Sequence, residues 1–253
     1  MIPTAIGALV FICTFGGAMV GVWLHAVLPE HHLSNETKET VKIGIGLIAT
    51  MTALILGLVT ASAKSSFDSL EAEMRHTAAE VLTFDRTLAR YGPETREIRQ
   101  ALSHIVEKRL EMTWPDGSFR AAKLDQPDMI RGAEQVFSRI RELSPQNPEQ
   151  RWLQSRAEDL AETLLNARWV ILSDVSRSVP VPFLAVLVFW LTITFASFGM
   201  FAPRNATVIA VFLICALSVG TAIFLILEMD GPFDGLIRIS PDALRYAYSR
   251  INQ

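Results

Sequence analysis

Four stretches of this chain contain no Asp, Glu, Lys or Arg: Ala5–Leu28, Ile43–Ala63, Val179–Ala202 and Ala206–Leu227. They are 24, 21, 24 and 22 residues long, together 91 of the 253 residues. All 49 charged residues therefore crowd into the other 162. A bilayer core ~30 Å thick is crossed by about 20 apolar residues at ~1.5 Å rise each. Every stretch passes that test, and soluble cores seldom bury four such runs without one charge. The pattern predicts an all-α polytopic membrane protein: four transmembrane helices, with a helical cytoplasmic domain inserted between the second and third spans. The expected division is a hairpin over 1–63, the helical domain over 64–178, a second hairpin over 179–227 and a cytoplasmic tail over 228–253. The first stretch lacks a basic leader region and a small-residue cleavage site, so it is expected to be a span rather than a cleaved signal.

Composition removes several function classes. A net charge of −3 with no basic block argues against nucleic acid as a partner. The two cysteines, Cys13 and Cys215, both fall inside spans, where they are read as small apolar residues rather than as a disulfide or a zinc site. No metal site or cofactor is expected. Glu30-His31-His32 has no further ligands in view and reads as a solvated loop. Metalloprotease, Walker, nucleophile-elbow and dinucleotide motifs are missing, so an enzyme is not expected. The charge-free spans also argue against a transporter built on buried carboxylates.

Lys and Arg near the span ends set the orientation. Lys38, Lys42 and Arg204 stand on one side; Lys64, Arg75, Arg168, Arg177, Arg238, Arg245 and Arg250 stand on the other. The positive-inside rule then puts both termini and residues 64–178 in the cytoplasm. No proline interrupts Val41–Tyr91, and Phe67, Leu70, Met74, Ala78, Val81 and Leu88 continue a helical stripe past the bilayer. The second span is thus predicted to run on as one long helix that Gly92-Pro93 ends. Further stripes mark a helix through Ile98, Leu102, Ile105 and Leu110, a shorter one through Ala133 and Ile140, and a long one through Leu153, Ala157, Leu160 and Leu164. Pro180 and Pro182 mark a kink or restart before the third span.

The second span carries the most suggestive face. Gly46, Ala49, Ala53, Gly57 and Thr60 recur every three or four residues, Lys42 and Lys64 extend the face at its ends, and Thr50 lies beside it. Such a face can line an anion path, with lysines concentrating anions and hydroxyls replacing hydration. It can equally be a close helix contact through small residues. The opposite face (Ile43, Leu47, Ile48, Leu54, Ile55, Leu58) is read as lipid-facing or as a hydrophobic constriction. In the first span, Gly17-x-x-x-Gly21 is read as a packing motif.

Two segments carry a resemblance. Asp85-Arg86-Thr87-Leu88-Ala89-Arg90-Tyr91-Gly92-Pro93-Glu94-Thr95 resembles a stretch of the bacterial bestrophin-like membrane proteins. So does the tail Glu228-Met229-Asp230-Gly231-Pro232-Phe233-Asp234-Gly235-Leu236-Ile237-Arg238-Ile239-Ser240. The order of hairpin, helical insert, hairpin and Pro-Phe-Gly tail agrees over nearly the whole chain. The resemblance marks Asp85, Arg86, Tyr91, Gly92, Pro93, Asp230, Pro232, Phe233 and Gly235 as motif positions. It implies an oligomeric channel in a bacterial inner membrane, with small anions as the permeant partner, and the small-residue face would then put the second span near the pore. Bestrophins carry Pro-Phe-Gly after their last span; here Asp234 interrupts it, and the acidic calcium-binding run of animal bestrophins is missing. Calcium gating therefore does not carry over. The alternative is a membrane-anchored scaffold or sensor whose helical domain docks a cytoplasmic partner. A homo-oligomer in the lipid bilayer is expected from the glycine-rich spans, the extended apolar stripes and the resemblance, and a channel requires one, because a four-span protomer is too small to enclose a wide pore.

Overall fold

The computed structural model describes residues 3–29, 35–114, 127–175, 181–231 and 235–251. Among these the secondary structure is helical: α1 (Pro3–Val27), α2 (Asn35–Tyr91), α3 (Arg96–Thr113), α4 (Pro127–Arg141), α5 (Pro148–Val175), α6 (Val181–Phe201), α7 (Ala206–Asp230) and α8 (Asp242–Arg250). Four of them, α1, α2, α6 and α7, are long and apolar enough to cross a membrane. The chain forms two compact units, one from Met1–Ser65 and Ser178–Asp230, the other from Ser66–Arg177 and Gly231–Gln253.

In the first unit α1 is the hub. Small residues bring its backbone against two neighbours, as membrane helices require when no hydrophobic force draws them together. A Cβ added to Gly17 would lie 2.8 Å from the Thr192 carbonyl oxygen, and one on Gly21 would collide with that of Ala196. Gly199 on α6 returns the contact against Ala18. On the other side, a Cβ on Gly220 of α7 would meet the Gly7 carbonyl oxygen at 2.9 Å. The Gly17-x-x-x-Gly21 motif is therefore a helix contact, whereas Gly16 faces open space. At one end of the spans, His25 Nδ1 lies 2.8 Å from the Met200 carbonyl oxygen, and Arg204 donates to Val22. These two bonds tie the short α6–α7 turn to α1.

The second unit is a helical bundle around one core. Leu70, Met74, Ala78, Val81, Phe84 and Leu88 of α2 pack with Ile98, Leu102 and Val106 of α3, Val136 and Ile140 of α4, and Ala157 and Leu160 of α5. Phe84, almost fully buried, fills a place that the sequence series skipped. Residues after α7 also enter this core: Ile239, Leu244, Ala247 and Ile251 are buried in it, and Tyr248 donates to Glu107 of α3.

The α2–α3 connection explains its own sequence. Gly92 has φ 142°, a conformation side chains rarely adopt. Pro93–Thr95 then form a single 3₁₀ turn before α3 starts at Arg96. The Thr95 hydroxyl reaches the carbonyl oxygens of Leu88 at 2.6 Å and Gly92 at 2.8 Å. It thereby satisfies acceptors that the end of α2 leaves open.

Candidate ion path on α2

All 57 residues of α2 form one helix, about 85 Å long at ~1.5 Å per residue. Within the first unit one ridge of it is covered. Ile45, Thr52 and Ala63 are buried, with Ile48, Ala49, Ile55, Leu56 and Val59 half-buried alongside. Ala63 and its neighbours join an apolar core with Leu187, Leu191, Ile223 and Ile226. Ile48 and Ile55 thus belong to the covered ridge, not to the outer apolar face where the sequence reading put them.

The remainder of this stretch is bare and splits into two adjoining strips. Lys42, Gly46, Ala53, Gly57, Thr60 and Lys64 form a strip of small residues with a lysine at each end, all exposed, beside half-buried Ala49. Nothing lies within 4 Å of a Cβ placed on Gly46 or Gly57. The small face is therefore not a packing surface within the protomer. The neighbouring strip is bulky: Ile43, Leu47, Met51, Leu54 and Leu58 are all exposed, with Ile43 at 76% and Leu54 at 74%. Thr50 is exposed where the two strips meet. By helical spacing, Ile43, Thr50, Leu54 and Gly57 lie opposite the covered ridge.

The hydroxyls behave differently from the sequence expectation. Thr50 donates to the Gly46 carbonyl at 2.8 Å and Thr60 to that of Leu56 at 2.7 Å. With the proton committed to the backbone, each hydroxyl presents only oxygen lone pairs outward. In this rotamer neither can donate to an anion.

Asp85 and Tyr91 of the motif hold the second unit together. Asp85 is fully buried and accepts two hydrogen bonds from Arg99, 2.8 Å from Nε and 2.9 Å from Nη2. This bidentate pair joins α2 to α3 across the Gly92 turn. The bond to Asp85 raises the Arg99 pKa above its already high value, more than burial lowers it. Arg86 is exposed, and Arg90 lies 3.7 Å from Glu149 of α5. Tyr91 is buried, and its carbonyl accepts from Gln150. Burial, and secondarily Glu94, raise the Tyr91 hydroxyl's pKa. Pro93 sits in the 3₁₀ turn, Asp230 ends α7, and Gly235 has φ 93°. Pro232, Phe233 and Asp234 lie outside the described residues, as do Glu30-His31-His32 and the Pro180 junction. Arg99, Thr95 and Gln150 were not singled out by the sequence. The signal for Arg99 was present, since it stands seven residues after Gly92 just as Asp85 stands seven before it.

Comparison with known proteins agrees with this architecture. A family model for the bestrophin-like domain matches residues 12–244. Among curated proteins no match is found. Solved structures of a bacterial bestrophin homologue from Klebsiella pneumoniae share the fold. A tryptophan-to-alanine variant superposes with a TM-score of 0.61 at 15% identity, over 97% of this chain and 95% of that one. An isoleucine-to-threonine variant gives 0.57 at 16%, over 96% and 97%. A third structure of that homologue gives 0.59 at 15%, over 96% of each chain.

Proposed function

Since the chain belongs to the bestrophin-like domain family, we propose that this integral membrane protein is a homo-oligomeric ion channel, not an enzyme. In this reading α2 lines the path, and anions are favoured. One observation carries it: α2 buries one ridge in its protomer and leaves its other apolar sides bare, although three other spans are at hand.

In a ring of copies, the side of α2 opposite its covered ridge turns towards the axis. Ile43, Thr50, Leu54 and Gly57 then face the path, and the flanks meet neighbouring copies. The flanks differ in a useful way. Bulky Met51 and Leu58 stand on one side, small Gly46 and Ala53 on the other, so one copy's bulky flank can seat on the next copy's small one. The axis-facing leucine and isoleucine form a narrow apolar ring that conducts when wetted. Exposed Lys42 and Lys64 bracket the stretch and raise the local anion concentration. Both termini and residues 64–178 are assigned to the cytoplasm of a bacterial inner membrane, following the lysine and arginine bias.

The test is flux from liposomes holding the purified, assembled protein. Chloride-dependent conductance with an anion-favouring reversal potential is expected. An intact oligomer that conducts in no salt contradicts the channel reading.

A further inference from the structure

The second-unit stretch of α2 has an exposed face that differs from its neighbours. Ala72, Arg75, Ala79, Thr83, Arg86 and Arg90 follow one another at steps of three and four, and all are exposed. On α5 the exposed Arg156, Asp159 and Glu162 mix both signs of charge. Half of this α2 face is alanine or threonine. Small residues there leave room beside the helix, and the only charges among these six residues are guanidinium groups.

Those guanidinium groups are not equivalent. Arg75 is held by Glu71 at 2.6 Å, and Arg90 faces Glu149 at 3.7 Å. Arg86 pairs with no acidic group among the described residues. Its outward direction is fixed by the residue before it. Asp85, buried and gripped by both Arg99 nitrogens, sets the rotation of α2, so the next residue emerges about 100° round the helix. Arg86 is thus a full positive charge with five N–H donors, and none of the six residues on its face is acidic. Within the membrane stretch, Thr50 and Thr60 have committed their protons to the backbone.

We propose that Arg86 is the residue that sets the charge preference of the ion path: one guanidinium per copy, repeated around the oligomer, attracts anions and repels cations. The inference rests on the reading that α2 lines the path, and extends it to the same helix beyond the membrane stretch.

The experiment measures reversal potentials in bilayers under a NaCl gradient. Wild type favours chloride. Arg86→Lys keeps the charge and is expected to keep the preference. Arg86→Gln lowers the chloride-to-sodium permeability ratio by about sevenfold, since one unit charge at ~7 Å through water changes each ion's share about 2.7-fold and in opposite directions. Arg86→Glu moves the reversal potential further, towards sodium. Arg96→Glu, exposed on α3, leaves it unchanged. Currents of normal size with an unaltered reversal potential in both Arg86→Gln and Arg86→Glu overturn the Arg86 assignment and leave the channel reading standing. Absence of current in the assembled wild type overturns both. If Arg86→Glu fails to assemble, the contrast between Arg86→Gln and Arg86→Lys decides alone.

Discussion

Replacing Asp85 by alanine is expected to cost about 3–5 kcal/mol of stability, the loss typical of removing one partner from a buried ion pair. For a protein of this size, that lowers the Tm of the detergent-solubilised protein by about 10 °C. The side chain of Asp85 is 1% exposed and that of Arg99 18%, so solvent screens the pair little. The cost arises less from lost attraction than from leaving the largely buried Arg99 guanidinium uncompensated. A double variant, Asp85→Leu with Arg99→Met, removes both charges and fills the space. It is expected to recover most of the stability, because apolar replacements of buried pairs are often neutral. The pair's distinctive contribution would then be rotational register: α2 and α3 could slip or turn without it. Thermal unfolding of the three proteins checks this. A loss under about 1 kcal/mol in Asp85→Ala would mean that the pair is effectively solvated.

The second large effect concerns the apolar strip. Leu54→Thr is expected to raise ion flux about tenfold. A constriction lined by aliphatic side chains excludes water, and ions do not pass a dry segment. Removing a leucine side chain from each copy withdraws roughly 2 kcal/mol of dewetting preference per site, and tenfold corresponds to about 1.4 kcal/mol. One site's share is thus sufficient. Threonine is chosen because it keeps much of the volume while adding an oxygen. Ile214→Thr, on the exposed surface of α7, is the control and should leave flux unaltered. Equal effects from the two substitutions would point to a general loosening of the spans instead.

How much of this was legible beforehand follows the physics of each signal. The four spans stand out because charge is expelled from a bilayer core, and that leaves a mark in composition alone. The continuity of α2 was legible because neither proline nor a late glycine breaks it before Gly92. The covered ridge of α2 was not, because residues 43–63 are apolar all round and carry little amphipathic contrast. Ile48 and Ile55 cannot be distinguished from Leu47 and Leu54 without knowing where α6 and α7 lie. The docking of Ile239, Leu244, Ala247 and Ile251 into a core begun 170 residues earlier at Leu70 was equally hidden, since a short apolar series names no partner. The threonine result shows a different limit. Thr50 and Thr60 suggested donors by residue type, but a helix supplies its own acceptor four residues back, and the backbone takes the proton.

The most direct measurement of the central claim is cysteine block at position 54. In a background of Cys13→Ala and Cys215→Ala, Leu54→Cys and Ile214→Cys are compared in conducting bilayers before and after a charged thiol reagent. If α2 lines the path through the side opposite its covered ridge, current through Leu54→Cys falls sharply and current through Ile214→Cys persists. Undiminished current through a Leu54→Cys protein shown to have reacted would contradict the account.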